Sequence, residues 1–304
     1  MDFRQITCFV AVAEELHFGR AAARLNLSQP PLSQQIKALE DQLRVRLFDR
    51  NRRGVRLTAA GEAFLRYAYQ VLRTADAGAE AARRAASGEV GALRIGYSAS
   101  ALYSDDVLRA IVRYRRRYPA VDIRLAEGTT RANTHELEAE RIDLALVRGP
   151  LPELVRDWPA ERRVVVSRER LLVALPQDHP LSDRDTVSLE ELREERFVTM
   201  ARHLGTALND LLDRLFDAAG IRPQVALETA EMASLLGLVG AGAGIAVVPA
   251  AVARHRSHYI VFRPLTDRDA EVELFLLLPP NPVPTAWNLR AELAAGSEGA
   301  TPPP

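Results

Sequence analysis

Hydrophobic periodicity changes character once along this chain of 304 residues, at the stretch "SGEVG" (87–91), and that change limits what the chain can fold into. Before it, apolar residues recur at steps of three and four, the period of amphipathic helices. After it, short apolar runs alternate with helical segments: "ALRIGY", "VDIRLAEG", "DLALVRG", "RLLVALP", "RFVTM", "QVALET", "GIAVVP", "YIVFRPL" and "EVELFLLLP". Such βα alternation predicts mainly parallel sheets. Two unlike parts are therefore expected, a helical N-terminal one and an α/β C-terminal one. With 47% apolar and 26% charged residues, the chain is long enough for two or three domains with their own cores and too apolar to be disordered.

Several classes of protein are disfavoured. The longest uncharged run, 232–253, is interrupted by Gly237, Gly240, Gly242 and Gly244 and ends near Pro249. It predicts a buried helix, a glycine turn and a short strand, so no membrane partner is expected. The N-terminus lacks the basic and apolar regions of a signal peptide, which predicts a cytoplasmic protein. Cys8 is the single cysteine, and the six histidines are scattered, so neither a metal nor a cofactor is expected.

The helical part reads as a DNA-binding unit. Phe3, Ile6, Phe9, Val10 and Ala13 predict a first helix, Phe18, Ala21, Ala22 and Leu25 a short second, with a turn at Asn26 and Leu27. In "SQPPLSQQIKALEDQL" (28–43), Leu32, Ile36, Leu39 and Leu43 form the buried stripe of a third helix. Its opposite face carries Pro30, Ser33, Gln34 and Lys37, residue types that suit base edges in a major groove. Two prolines in a first turn cost little, because their missing N–H groups are orphan donors there anyway. Ser28, the expected N-cap, loses the N–H groups it would satisfy, which frees its hydroxyl for phosphate or base. Formal net charge is zero, yet Arg44, Arg46, Arg50, Arg52, Arg53 and Arg56 against Asp49 give 44–56 a local charge of +5. The arginines surround "DRNRRGVRL", a strand, a tip with Gly54 and a strand, and a basic hairpin beside such a helix is the footprint of a winged DNA-binding domain. An ordinary solvated face is the competing reading.

"AAARLNLSQPPLSQQI", "LEDQL" and "LFDR…RGVRLTAAG" together resemble the N-terminal winged helix-turn-helix of LysR-type transcriptional regulators over residues 1–66. The resemblance implies that Ser28, Gln29, Pro30, Pro31, Ser33 and Gln34 read bases and that Arg52 or Arg53 enters the minor groove. His17 and Gly19 stand where that family often has a hydroxyl residue starting the second helix, so the capping there departs from the pattern. More weakly, "DHPL" (178–181) and "GAGAGIAVVP" continue the resemblance and imply a two-lobed effector domain. The expected fold is α/β overall: a mainly α winged helix-turn-helix (1–58), a long linker helix and hinge (59–88), and a periplasmic-binding-protein-like α/β effector domain (89–304). Lobe I would hold about 92–162 and 265–295, lobe II about 163–264.

The linker helix starts at a plausible N-cap, Thr58, and carries a heptad register of Phe64, Ala68, Val71, Ala75, Gly78, Ala82 and Ala85. Small residues let two helices approach closely, so Phe64, Ala68, Val71 and Ala75 are expected at a homodimer seam, and the resemblance extends this to a homotetramer. A single buried helix in a monomer is the alternative.

In open α/β lobes, ligands sit at the C-terminal ends of strands, near helix N-termini. "YSASA", "EGTTR" and "TMARHLGT" are such loops. Ser98, Ser100, Thr129 and Thr130 are expected to cradle a small-molecule effector, with Arg148 or Arg202 pairing with a carboxylate or other anion. Helix capping by the same serines and threonines is the plainer reading. A hydrolase must also be weighed, since "GYSAS" (96–100) nearly matches the G-x-S-x-G nucleophile elbow, but Ser100 stands where glycine is needed. A solute-binding protein would fit 92–295 and leave the first domain unexplained. The expectation is a sequence-specific regulator binding double-stranded DNA, with no catalytic residues.

Overall fold

A computed structural model describes residues 1–51, 54–254 and 257–297, and its contacts divide it into two compact units, Met1–Arg84 and Ala85–Pro304. In the first, α1 (Phe3–Glu15), α2 (Phe18–Arg24) and α3 (Gln29–Leu43) precede a hairpin of β1 (Phe48–Asn51) and β2 (Gly54–Leu57), then α4 (Ala59–Ala86). Asp2 opens α1 with a capping box: its carboxylate accepts from the Gln5 N–H at 2.8 Å, and the Gln5 side chain accepts from the Asp2 N–H at 3.0 Å. The departure at α2 resolves locally. His17 caps it with Nδ1, accepting from the N–H groups of Gly19 (3.0 Å) and Arg20 (3.2 Å).

The third-helix stripe packs as its periodicity requires. Leu32, Ile36 and Leu39 are fully buried with Phe9 and Phe48 in one core. Each such side chain contributes about 1.5–3 kcal/mol by leaving water. Phe9 anchors that core, its ring 5.2 Å from Phe48 and 5.0 Å from Phe64. Gly61 lets the start of α4 lie directly on the Leu47 carbonyl: a Cβ there would stand 2.1 Å from that oxygen. Phe64 and Ala68 face this same core, Ala68 being 1% exposed. The assignment of Ala68 to a dimer seam is therefore corrected, because the protomer's own core already covers it, whereas Phe64 is only partly buried against that core. Val71 and Ala75 are exposed.

The second unit runs β3 (Val90–Tyr97), α5 (Asp105–Arg117), β4 (Ala120–Glu127), α6 (Thr130–Glu138), β5 (Leu144–Arg148), α7 (Glu153–Arg156) and β6 (Arg163–Pro176). It continues with β7 (Arg196–Met200), α8 (Ala207–Ala218), β8 (Gln224–Thr229), α9 (Met232–Gly240), β9 (Ala246–Pro249), β10 (Ile260–Pro264), β11 (Glu271–Leu277) and α10 (Pro284–Ser297). One sheet has the order β10-β6-β11-β5-β3-β4, with β9 also on β6, while β7 and β8 pair separately. Its hub is β6, whose first half (Arg163 to Arg170) pairs with β11 and whose second half (Leu171 to Pro176) pairs with β9 and β10.

Two expectations change here. Lobe I extends through the first half of β6 to about residue 170, because one strand of 14 residues serves both lobes. The sheets are also not mainly parallel. Only β3 with β4 and β5, and β7 with β8, pair in parallel among the named strands; β6 pairs antiparallel with β9, β10 and β11. Strands that run back and forth between lobes need no helical crossover, and direct returns are antiparallel.

The uncharged run 232–253 folds as α9, a glycine turn and β9. Gly244, at φ 155°, is required there, since a Cβ would lie 2.4 Å from the Arg196 carbonyl oxygen. Among the described residues no helix is long and apolar enough to cross a membrane.

Candidate nucleic-acid interface and ligand cavity

The first unit presents one polar, basic face. On α3, Ser28, Gln29, Pro30, Gln34 and Lys37 are exposed, with Pro31 and Ser33 half-buried beside them. Ser28 makes no side-chain capping bond, as two prolines in the first turn dictate. Ser33, Gln34 and Lys37 line a hollow with Arg44, Arg46 and Arg50, so the helix and the first hairpin strand share one concave surface. Glu40, missed in the sequence, holds the two together: its carboxylate accepts from the N–H groups of Leu47 (2.7 Å) and Phe48 (3.1 Å). Arg50 lies over the Phe18 ring at 4.3 Å, tying β1 to α2. Arg52 and Arg53 lie outside the described residues.

In the second unit a cavity of about 280 Å³ lies between the lobes. Lobe I supplies a polar wall of Ser98, Ser100, Thr129, Thr130 and Arg148, with Glu127 at its side; lobe II supplies mostly apolar groups, Met200, Leu204, Leu208 and Met232. The β3–α5 loop is held by the Ser98 N–H donating to the Leu146 carbonyl (2.9 Å). The Ser98 Oγ itself is buried and has no hydrogen-bond partner. Thr129 caps α6, accepting from the Ala132 N–H at 3.2 Å, which aims the helix N-terminus at the cavity. Thr130 is buried and donates to the Arg148 carbonyl at 2.9 Å.

Arg148 is itself clamped. Its Nε donates to Ser100 Oγ (2.9 Å), and one Nη to the Ser100 carbonyl (3.2 Å) and to Glu169 (3.0 Å), while Nη1 is buried without a partner. Burial lowers its pKa, against the raising effect of Glu169, and a guanidinium stays charged under both. Glu169 also accepts from the Ala251 N–H (2.9 Å) and the Ser167 hydroxyl (3.2 Å). It was not foreseen, because its place against Arg148 follows only from β6 spanning both lobes.

Arg202 does not join the others. It donates to both carboxylate oxygens of Asp213 on α8, at 2.9 and 3.0 Å, and it lines no part of the cavity. The hydrogen bonds that it donates to Asp213 hold its pKa above the ordinary arginine value. The loop "TMARHLGT" lines the cavity through Met200, Leu204 and Thr206, and the tight turn at 202–204 sends Arg202 outward. Leu204 and Leu208 were detectable in the sequence only as an apolar pair four residues apart.

Two family models match in tandem, "Bacterial regulatory helix-turn-helix protein, lysR family" over residues 3–62 and "LysR substrate binding domain" over 86–296. The chain is 40% identical over 296 residues to the HTH-type transcriptional regulator YnfL of Escherichia coli, covering 96% of this chain and 98% of that one. It is also 40% identical over 250 residues to AlsR of Bacillus subtilis, covering 82% and 80%. Among solved structures, CbnR, a LysR family transcriptional regulator, superposes with a TM-score of 0.81 at 30% identity, covering 96% of this chain and 100% of that one. CbnR complexed with its target DNA gives a TM-score of 0.79 at 30% identity, covering 98% and 100%. Full-length BenM gives 0.62 at 32% identity, with both chains covered in full. With a recognition-helix face on one unit, a two-lobed cavity on the other, and both family models satisfied in order, this chain belongs to the LysR family of transcriptional regulators.

Proposed function

We propose that the exposed face of α3 reads operator bases, through Ser28, Gln29, Pro30, Pro31, Ser33, Gln34 and Lys37, while the hairpin arginines, Arg52 and Arg53 included, engage the backbone and minor groove. The cavity then takes a small effector whose polar or anionic head meets Ser98, Ser100, Thr129 and Thr130, backed by Arg148. Its apolar body rests on Met200, Leu204, Leu208 and Met232 of lobe II. The observation that carries this reading is the buried, unpartnered Ser98 hydroxyl at the polar end of a cavity beside a helix N-terminus. Closure of the lobes about β6 would transmit occupancy to the DNA-binding pairs.

Assembly as at least a homodimer, and as a homotetramer by family resemblance, is part of the proposal. On α4 the seam runs along Val71, Ala75, Gly78 and Ala82. Two strand edges favour self-association as well: β4 ends the large sheet and exposes Leu125, and β8 exposes Val225 and Leu227. The protein works in the cytoplasm and without catalysis.

Selection from a randomised duplex pool with the full chain, at two salt concentrations, tests the reading. An inverted repeat should be enriched, and Gln34→Ala should relax preference at one base position. No enrichment at either salt by folded protein would refute the operator assignment. Ser98→Ala should weaken the response to any effector found while leaving the enriched sequence unchanged.

A further inference from the structure

Beside the cavity lies a larger groove of about 690 Å³ that the effector reading does not use. Arg156, Arg163, Arg168, Arg214 and Arg268 line it. Arg168 is neutralised by Glu273 at 2.7 Å, and the wall's Glu271 is engaged by Arg170 at 3.7 Å. Arg156, Arg163, Arg214 and Arg268 have no carboxylate in salt-bridge reach among the described residues, against one unpaired acid in the wall, Asp269. Arg214 makes a single side-chain bond, from Nε to the Asp210 carbonyl at 3.2 Å, and the Nε of Arg163 is buried with no acceptor. The adjoining hollow shares Arg156 and Arg214 with the groove and carries Glu153, Asp210 and Asp213, of which Asp213 is engaged by Arg202.

We propose that this groove is a second ligand site, for a small multivalent oxyanion. Four guanidiniums without salt-bridge partners line one groove against a single unpaired carboxylate, Asp269, and their planar forks match phosphate and carboxylate oxygens. The groove draws on both lobes: Arg156 and Arg163 belong to lobe I, Arg214 sits on α8 of lobe II, and Arg268 lies on the segment that returns between them. An anion held there ties the lobes together. Gly149 and Val272 line both the groove and the cavity, so occupancy of one bears on the shape of the other.

The test is calorimetric titration of the full chain at fixed ionic strength with inorganic pyrophosphate and, separately, citrate. Saturable binding of one anion per chain is expected, and the tighter probe tells whether phosphate or carboxylate is the natural chemistry. Arg214→Gln with Arg268→Gln should weaken it by about tenfold or more, as the loss of charge-assisted bonds requires. Arg156→Gln gives an independent second variant, with thermal melts to show that each folds. Arg116→Gln, on the exposed end of α5, and Ser98→Ala, in the cavity, should leave it unchanged, which separates this site from the effector site. Three results would overturn the proposal: no saturable binding of either probe, equal weakening by Arg116→Gln, or a change in sedimentation of the groove variants without anion binding. The last would mean that the arginines meet another protein chain.

Discussion

Glycine to alanine at two positions of α4 should be destabilising for different reasons. At Gly61 a Cβ would stand 2.1 Å from the Leu47 carbonyl oxygen and 2.9 Å from Leu57 Cδ2. That carbonyl cannot retreat freely, since it accepts from the Thr58 N–H at 3.0 Å. The helix must shift, at about 3 kcal/mol for overpacking against backbone, with about 1 kcal/mol more if the Thr58 bond is lost. Alanine returns at most about 1 kcal/mol of helix propensity, leaving a net loss of about 2–3 kcal/mol. For a unit of this size that lowers Tm by roughly 8 °C or more. At Gly78 nothing of the same chain stands within 4 Å, so alanine would stabilise a lone helix by about 1 kcal/mol, but in the proposed seam its methyl group should push the partner helix away and destabilise the dimer. Thermal unfolding of the full chain, with hydrogen exchange on peptides from 1–84, reads both. If Gly61→Ala melts within about 0.5 kcal/mol of the parent, the size of an ordinary surface change, the close approach of α4 to Leu47 is wrong. Destabilisation by Gly78→Ala should deepen on dilution, and stabilisation at every concentration would place Gly78 outside the seam.

The buried cavity floor and the α10 contact give two further tests. Arg148→Ala should cost about 3–5 kcal/mol, because it strands the Glu169 carboxylate, whereas Arg148→Met with Glu169→Leu should recover most of that in urea unfolding followed by tryptophan fluorescence. Tyr114 is fully buried and donates to the Thr285 carbonyl at 3.0 Å; burial, then the neighbouring Tyr118, pushes its pKa well up. A raised phenol pKa favours the folded state fully below the ordinary value of about 10 and loses that contribution as pH rises above it. Tyr114→Phe should therefore cost about 1 kcal/mol at pH 7 and flatten the fall in urea midpoint between about pH 10 and 12.

What could be read before folding is what depends on local period and local chemistry. Leu32, Ile36 and Leu39 fell on one stripe because a helix repeats every 3.6 residues, and all three are fully buried. Ser98, Ser100, Thr129, Thr130 and Arg148 were found because loops at strand C-termini converge whatever the order of the strands, and all five line one cavity. What escaped depends on which faces meet. The heptad through Phe64 and Ala68 has the same period as an amphipathic stripe, so its spacing alone could not tell a partner helix from the protomer's own core. Arg148 and Arg202 were equal candidates in sequence, the first at the end of the apolar run "DLALVRG" and the second in the loop "TMARHLGT". Their fates diverged through partners supplied from elsewhere: Glu169 and Ser100 draw Arg148 inward, and Asp213, eleven residues along on α8, draws Arg202 out. The doubled length of β6 was hidden for the same reason, since "RVVVSRERLLVALP" shows two apolar runs around a charged middle. That middle is where the strand passes between lobes, and it puts Glu169 beside the cavity and Arg168 beside the groove. One charged interruption in an apolar strand thus serves two sites on its two faces, so Glu169 and Arg168, adjacent in sequence, should separate cleanly when each is neutralised: the first altering the effector response, the second the anion groove.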